Sequence, residues 1–251
     1  MLTAPDLTLF SLAGKTILVA GASKGIGQAI AAGLAKAGAN VIGFGRSAAG
    51  QASPGFSYQR CDMRQRDQFD CLVAQAVQAH GNVDAYFHVA GITVPSQDGL
   101  QDFAVFEQTL NANLSSAYAC CATVGRQMKI QQRGSLVTVT SIGSLLGFPN
   151  NPAYVASKGG LRMMSKALAL DLGKSNVRVN CLVPGYVHTD MTHASYSDPG
   201  KSRERADRTM LGRWGQVSDM VGAAIFLASD ASAYVTGTDL IVDGGWTAKG
   251  L

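Results

Sequence analysis

The sequence predicts an α/β domain in which a doubly wound parallel sheet is covered by helices on both faces. Three observations carry this expectation. Short apolar or β-branched runs alternate with helix-length segments along the chain, as a parallel sheet with crossover helices requires. The 251 residues suit one domain, 1–251. A glycine-rich turn, Gly21-Ala22-Ser23-Lys24-Gly25-Ile26-Gly27, stands between the first strand and the first helix.

Residues 16–20 (Thr-Ile-Leu-Val-Ala) read as a buried strand, and 26–37 as an Ala-rich helix that Gly38 closes. A second strand follows at 41–44. Residues 69–79 form a helix stopped by Gly81, 85–89 a strand, and 103–130 one long helical region. A strand at 135–140, a helix at 152–174, a strand at 177–181, a helix at 219–228 and a strand at 239–242 complete the pattern. Pro152 suits a first helical position, with Asn151 as its N-cap. Residues 185–215 are polar and lack a clear period. A long insertion after a strand end is expected to act as a substrate lid. Repeats, low-complexity tracts and linkers are absent from the sequence.

The turn is a candidate nucleotide site. Gly21, Gly25 and Gly27 let the backbone approach a pyrophosphate, and the helix that follows offers free N–H groups and a positive dipole end. The next strand ends Phe44-Gly45-Arg46-Ser47. An acid at position 45 would accept hydrogen bonds from a ribose and repel a 2′-phosphate. Gly45 followed by Arg46, with Lys24 in the turn, favours the phosphorylated ribose, hence NADP(H) over a possible NAD(H). The competing reading is two solvated cations, which fits Lys24 more readily than Arg46.

A second constellation carries the chemistry. Tyr154 and Lys158 fall on one face of a helix, one turn apart, and Ser141 ends the strand thirteen residues upstream of Tyr154. A free tyrosine titrates near pH ~10, so general acid–base work at neutral pH needs a shift of roughly three units, about 4 kcal/mol. The Lys158 ammonium and an oxidised nicotinamide ring are two cations able to supply it. Ser141 is placed to hold the substrate oxygen. Gly159-Gly160, with Ala153, Ala156 and Ser157, leaves a flat face that admits a close helix, from a second subunit or from the same chain.

Composition excludes other classes. A net charge of +4 without any Lys/Arg block argues against nucleic acid as a partner. Lys201, Arg203, Arg205 and Arg208, diluted by Glu204 and Asp207, read as a solvated helix face. Five cysteines without Cys-x-x-Cys or zinc spacing indicate no metal, and read as small buried residues of a reducing compartment. Residues 1–12 carry no basic n-region, and Gly or charge breaks every apolar stretch, so no membrane span is expected and the cytoplasm is the expected location.

On these motifs the chain resembles the short-chain dehydrogenase/reductase family over nearly its full length, in the compact single-domain branch. The resemblance implies a Rossmann-like fold and an NAD(P)-dependent oxidoreductase acting on a small molecule. It implies cofactor contacts at Gly21, Ser23, Lys24, Gly25, Ile26, Gly27 and Arg46. Asp62, after a third strand, matches the acid that binds adenine. Ala90 and Gly91 follow the fourth strand. In Pro184-Gly185-Tyr186-Val187-His188-Thr189, Val187 and Thr189 match the carboxamide contacts. Asn113, in Asn111-Ala112-Asn113-Leu114, matches the asparagine that supports a relay water, and Ser141, Tyr154 and Lys158 match the catalytic set, of which Tyr154 and Lys158 also touch cofactor. Two departures stand out: Ala20 replaces the usual Thr, and His88-Val89-Ala90-Gly91 replaces Asn-Asn-Ala-Gly. His88 is expected to hydrogen-bond backbone.

The segments 9–15 and 211–215, with the closing 242–246, look like the gluconate and deoxygluconate dehydrogenase subgroup. This implies a secondary alcohol/ketone conversion on a sugar acid or polyol, and a homotetramer, with the apolar segment around Trp246 as a further contact. A 3-oxoacyl-carrier-protein reductase is the rival enzyme. A non-catalytic nucleotide-binding sensor or scaffold is the rival from another class, though it would have no use for the Ser/Tyr/Lys set. Within 185–215, His188, His193, Tyr196, Lys201 and Arg203 are candidate substrate donors, and Arg213-Trp214 an anchor for the segment's end.

Overall fold

The computed structural model describes residues 7–48, 50, 52–97 and 99–249. The first half of the 1–12 segment, and both ends of the expected 1–251 domain, thus lie outside the described residues. Strand β1 (Thr16–Ala20) is buried along its whole length, as its five apolar or β-branched residues require of a central strand. Helix α1 (Gly25–Lys36) follows the glycine turn, and β2 (Asn40–Gly45) returns beside β1. Strand β3 (Phe56–Arg60) was not evident from the residue pattern and was implied by resemblance alone. It buries only Phe56, and Gln59 and Arg60 are exposed, so an edge strand of this kind leaves little apolar signal. Helix α2 (Arg66–His80) ends at Gly81 in the left-handed region.

After β4 (Ala85–His88) the expected long helix is divided. Helices α3 (Phe103–Leu110) and α4 (Ser116–Gln131) are joined by one π-helical turn, Asn111–Ser115. Strand β5 (Gly134–Val139) leads to a short 3-10 turn, Ile142–Ser144, and then to α5 (Pro152–Gly173). Pro152 opens α5 as expected, but the Asn151 side chain does not cap it. Its Nδ2 donates to Thr93 Oγ1 at 2.7 Å instead, tying the helix start to the loop after β4.

Strand β6 (Val177–Pro184) precedes the 185–215 segment, which is more regular than its sequence suggested. It contains the single turn α6 (His193–Tyr196) and α7 (Pro199–Arg208). Asp198 caps α7 by accepting from the N–H groups of Gly200 and Lys201, so Asp198-Pro199 was a start signal available in the sequence. Helix α8 (Val221–Ala228) and β7 (Asp239–Val242) close the chain.

All seven strands run parallel in the order β3-β2-β1-β4-β5-β6-β7. One core packs α1 and α8 on one face through Ile30, Leu34, Val137, Ala224 and Leu227. The other packs α2, α4 and α5 through Phe69, Leu72, Val124, Met128 and Leu172. Cys61, Cys120, Cys121 and Cys181 are buried as expected, whereas Cys71 is exposed on α2. No described helix is long and apolar enough to cross a membrane. The strand order reverses between β1 and β4, and a crevice opens there at the carboxyl ends of the strands, where sheets of this kind bind ligands.

Candidate active site

The crevice is a cleft of about 600 Å³. Its floor is the glycine turn. A side chain on Gly27 would lie 2.2 Å from the Gly21 carbonyl oxygen, and one on Gly21 would lie 2.9 Å from the Ala90 backbone, so both positions require glycine. No side chain caps α1, which leaves its first N–H groups facing the cleft. Ser23, Lys24, Gly25 and Ile26 complete this wall. Such a surface fits a pyrophosphate, the central group of a dinucleotide.

At the end of the cleft beside β2 and β3, Gly45, Arg46 and Ser47 line it, together with Asp62 and Arg64. Asp62 is held by Arg64 in a two-point ion pair of 2.6 and 3.0 Å, whose hydrogen bonds push its pKa down. Lys24 is paired too, with Asp190 at 2.8 Å across the mouth of the cleft, and both partners are exposed. Among the described residues Arg46 makes no such pair. Sequence reasoning missed Tyr58 of β3. Its hydroxyl donates to the Ser47 carbonyl at 3.2 Å and would stand 3.1 Å from a Cβ at position 45. Gly45 is therefore matched to the phenol beneath it, and a carboxylate there would crowd that phenol.

The strand ends bring the reacting group together. Asn113 lies in the π turn and is buried. Its Oδ1 accepts from the Ile92 N–H at 2.7 Å, and its Nδ2 donates to the Ile92 carbonyl and to Ser157 Oγ. The amide is thus committed to clamping the β4 loop onto α5. A π turn is the local device that rotates this side chain inward without ending the helix. Ser141 Oγ accepts from the Gly143 N–H at 3.0 Å, in the turn after β5. Lys158 is buried, and its Nζ donates to the Val139 carbonyl at 2.8 Å. Ser141, Tyr154 and Lys158 all line the cleft, as do Ala90, Gly91, Pro184, Gly185, Val187 and Thr189.

Lys158 Nζ lies 5.9 Å from the Tyr154 ring centroid, directed at the sheet carbonyl rather than at the phenol oxygen. Burial pushes the Tyr154 pKa up, and only the hydrogen bond to Ser141 opposes it. The ammonium alone therefore does not lower this phenol. Burial also brings Lys158 down to about 8. Tyr186, between Gly185 and Val187, packs its ring against Phe148, Trp214 and Trp246 at centroid distances of 6.2, 5.4 and 4.9 Å. Trp246 is thus engaged within its own subunit. Trp214 Nε1 donates to the Ser202 carbonyl, and Arg213 pairs with Asp219, which fixes the end of the 185–215 segment.

A family model described as enoyl-(acyl carrier protein) reductase matches residues 21–247. A 2-dehydro-3-deoxy-D-gluconate 5-dehydrogenase of Pseudoalteromonas atlantica is 34% identical over 253 residues, 97% of this chain and 100% of that one. The chain belongs to the short-chain dehydrogenase/reductase family. A 3-oxoacyl-[acyl-carrier-protein] reductase of Chlamydia trachomatis is 36% identical, covering 93% of this chain and 98% of its own. Among solved structures, a gluconate 5-dehydrogenase from Burkholderia cenocepacia in complex with NADP and tartrate superposes with a TM-score of 0.92 at 31% identity, over 97% of this chain and 99% of that one. The protein is thus an oxidoreductase of this family, and its relatives include sugar-acid dehydrogenases.

His88 differs from its expected setting. It is fully buried, and its partner is the Tyr86 hydroxyl at 2.7 Å from Nδ1 rather than backbone, while Nε2 has no partner. Burial, aided by the nearby Lys158 charge, holds its pKa down from 6.5 to about 3. The neutral ring is therefore favoured in the folded state, and the stability this gives is present above pH ~6.5 and lost as pH falls toward 3. Between pH 7 and pH 5 the unfolding free energy should drop by about 2 kcal/mol on this account. His88→Asn should remove most of that drop, measured by denaturant unfolding at the two pH values. An equal pH dependence in both proteins would show that His88 does not titrate on unfolding as described.

Proposed function

We propose that the protein is a reversible NADP(H)-linked oxidoreductase that interconverts a secondary alcohol and a ketone on a sugar acid or polyol. The observation that carries this is the placement of Ser141, Tyr154 and Lys158 on one wall of a cleft whose floor is the glycine turn. Gly21, Ser23, Gly25, Ile26 and Gly27 hold the pyrophosphate, Arg46 the 2′-phosphate, and Asp62 the adenine. Ala90, Gly91, Pro184, Gly185, Val187 and Thr189 position the nicotinamide half, and Lys158 donates to its ribose. When bound, the cofactor supplies or accepts the hydride, and its oxidised ring adds a positive charge to the site.

In the oxidising direction Ser141 holds the substrate oxygen and Tyr154 takes the hydroxyl proton as the carbonyl forms. In the reducing direction the phenol returns it. Burial works against the phenolate, so the base form depends on the extra positive charge more than on Lys158 alone. Lys158 contributes positive charge beside the phenol, and Asn113 keeps the β4 loop and α5 in register, supporting the relay water through which the proton exchanges with solvent. The 185–215 segment closes the substrate side. The aromatic group around Tyr186 gives that side flat faces suited to the C–H faces of a sugar chain.

The assembly we propose is a homotetramer. Tyr118 of α4 and Met163 and Leu170 of α5 are 55%, 59% and 83% exposed, and among the described residues no atom lies within 4 Å of where a Cβ on Gly159 would stand. Gly160, by contrast, is filled within the chain by Leu114. At the opposite end, Ile241 of β7 and Tyr234 are exposed. Two separate apolar faces suit two dyads.

Three measurements test these proposals. Tyr154→Phe should lower kcat by about 10²–10⁴-fold, while NADPH binding followed by fluorescence stays near that of the unaltered protein; normal turnover would eliminate Tyr154 as acid/base. The unaltered enzyme should prefer NADP(H), and Arg46→Ala should weaken NADP(H) by roughly tenfold to a hundredfold, with NAD(H) little affected. A preference for NAD(H) at the outset would overturn the reading of Gly45 and Arg46. Light scattering at micromolar concentration should return the mass of four chains, and a monomer mass would refute the assembly.

A further inference from the structure

Strands β2 and β3 carry matching patterns, Gly43-Phe44-Gly45 in one and Phe56-Ser57-Tyr58 in the other. Parallel pairing sets Phe56 beside Val41 and Tyr58 beside Gly43, and each ring leans toward the glycine two residues further along β2. A Cβ on Gly43 would lie 2.5 Å from the Phe56 ring, and a Cβ on Gly45 would lie 3.1 Å from the Tyr58 hydroxyl. Glycine inside a strand marks a close approach by another group. Here the approaching groups are aromatic side chains of the neighbouring strand. Position 45 is therefore occupied rather than vacant, at the strand end where an acid would hold a ribose.

The phenol has little freedom to give way. Its ring packs against the core that includes α1. Gly50 lies so close to it that a Cβ there would strike Cγ, Cδ1 and Cδ2 of the ring. The hydroxyl donates to the Ser47 carbonyl at 3.2 Å. Burial pushes the phenol's pKa up, against hydrogen bonds with Ser23 and Ser47, so the group stays a neutral donor. One side chain thus meets the 45–50 loop at Gly45, Ser47 and Gly50. Gly45, Arg46 and Ser47 line the cleft, and Tyr58 touches two of the three. A long side chain on a loose loop loses conformational freedom when it binds. Arg46 instead stands between two residues that the phenol holds.

We infer that Tyr58 is a positioning residue that sets cofactor specificity: it holds the 45–50 loop so that Arg46 is presented to a 2′-phosphate, and its hydroxyl bars a working carboxylate from position 45. This rests on the proposed preference for NADP(H) and names the group that enforces it. Discrimination then has an attractive part in Arg46 and an exclusive part in Tyr58. An acid introduced at position 45 would press its Cβ on the phenol. Its carboxylate would also find that phenol as a donor, in competition with the ribose hydroxyls. Changing Gly45 alone should therefore not convert the site to NAD(H).

The test measures dissociation constants of NADPH and NADH by fluorescence on the full-length protein, which needs no substrate. Tyr58→Phe should weaken NADPH by about twofold to tenfold, the worth of one hydrogen bond, and leave NADH unchanged. Gly45→Asp should weaken both. Gly45→Asp combined with Tyr58→Phe lacks the atom that the new Cβ would meet, and should bind NADH about tenfold more tightly than Gly45→Asp alone, with NADPH still weak. Circular dichroism and Tm establish that each variant is folded. Equal losses of both cofactors in Tyr58→Phe would reduce the phenol to a packing group and overturn the inference. Tight NADH binding by Gly45→Asp alone would overturn it too, by showing that the phenol yields. Both results leave the role of Arg46 standing, since Arg46→Ala tests that separately. Tighter binding of NADH than of NADPH by the unaltered protein would overturn the NADP(H) preference and the inference together.

Discussion

Lys158 Nζ is buried at the carboxyl edge of the sheet and donates to the Val139 carbonyl at 2.8 Å. Much of the site follows from accommodating that charge. The β4 loop passes close by at Gly91, where a Cβ would lie 3.3 Å from Asn113 Oδ1 and 3.5 Å from the ammonium. Asn113 then fixes that loop through Ile92 and reaches Ser157, one residue before the lysine. The π turn exists where this clamp is needed. His88 beneath is kept neutral by burial and by the same ammonium, so a second cation is avoided in the sheet's interior. A buried cation is costly unless it is paired or hydrogen-bonded, and here the Val139 carbonyl accepts from it.

Proton chemistry in this cleft is therefore divided between the chain and its ligand. Burial opposes ionisation of Tyr154, and the ammonium beside it points elsewhere. Charge in the 185–215 segment is mostly matched within the chain. The segment's other Lys and Arg side chains are matched with its own or neighbouring carboxylates, and Arg205 is held against aromatic faces with a donor unmet.

The parallel sheet was legible because β1, β5 and β6 are apolar runs bounded by turns, and the glycine turn was legible because Gly21 and Gly27 have no room for a side chain. Edge strand β3 escaped notice because it buries a single aromatic residue, and α7 because its ten residues are mostly polar, although Asp198-Pro199 marked its start. The π turn has no residue signature in Asn111-Ala112-Asn113-Leu114. It shows itself only when Asn113 must reach Ile92.

What the sequence determined by itself was the chemistry available. Tyr154 and Lys158 one helical turn apart, Ser141 at a strand end and glycines at a strand–helix junction are local relations, fixed by backbone periodicity whatever surrounds them. Tertiary structure decided which of those groups is charged, which is satisfied and which lines the cleft. Arg203, Arg205 and Arg208 are equivalent in a charge pattern. Only the docking of α7 against Tyr186 and Trp214 sets Arg205 apart, because solvation and pairing depend on neighbours distant in sequence.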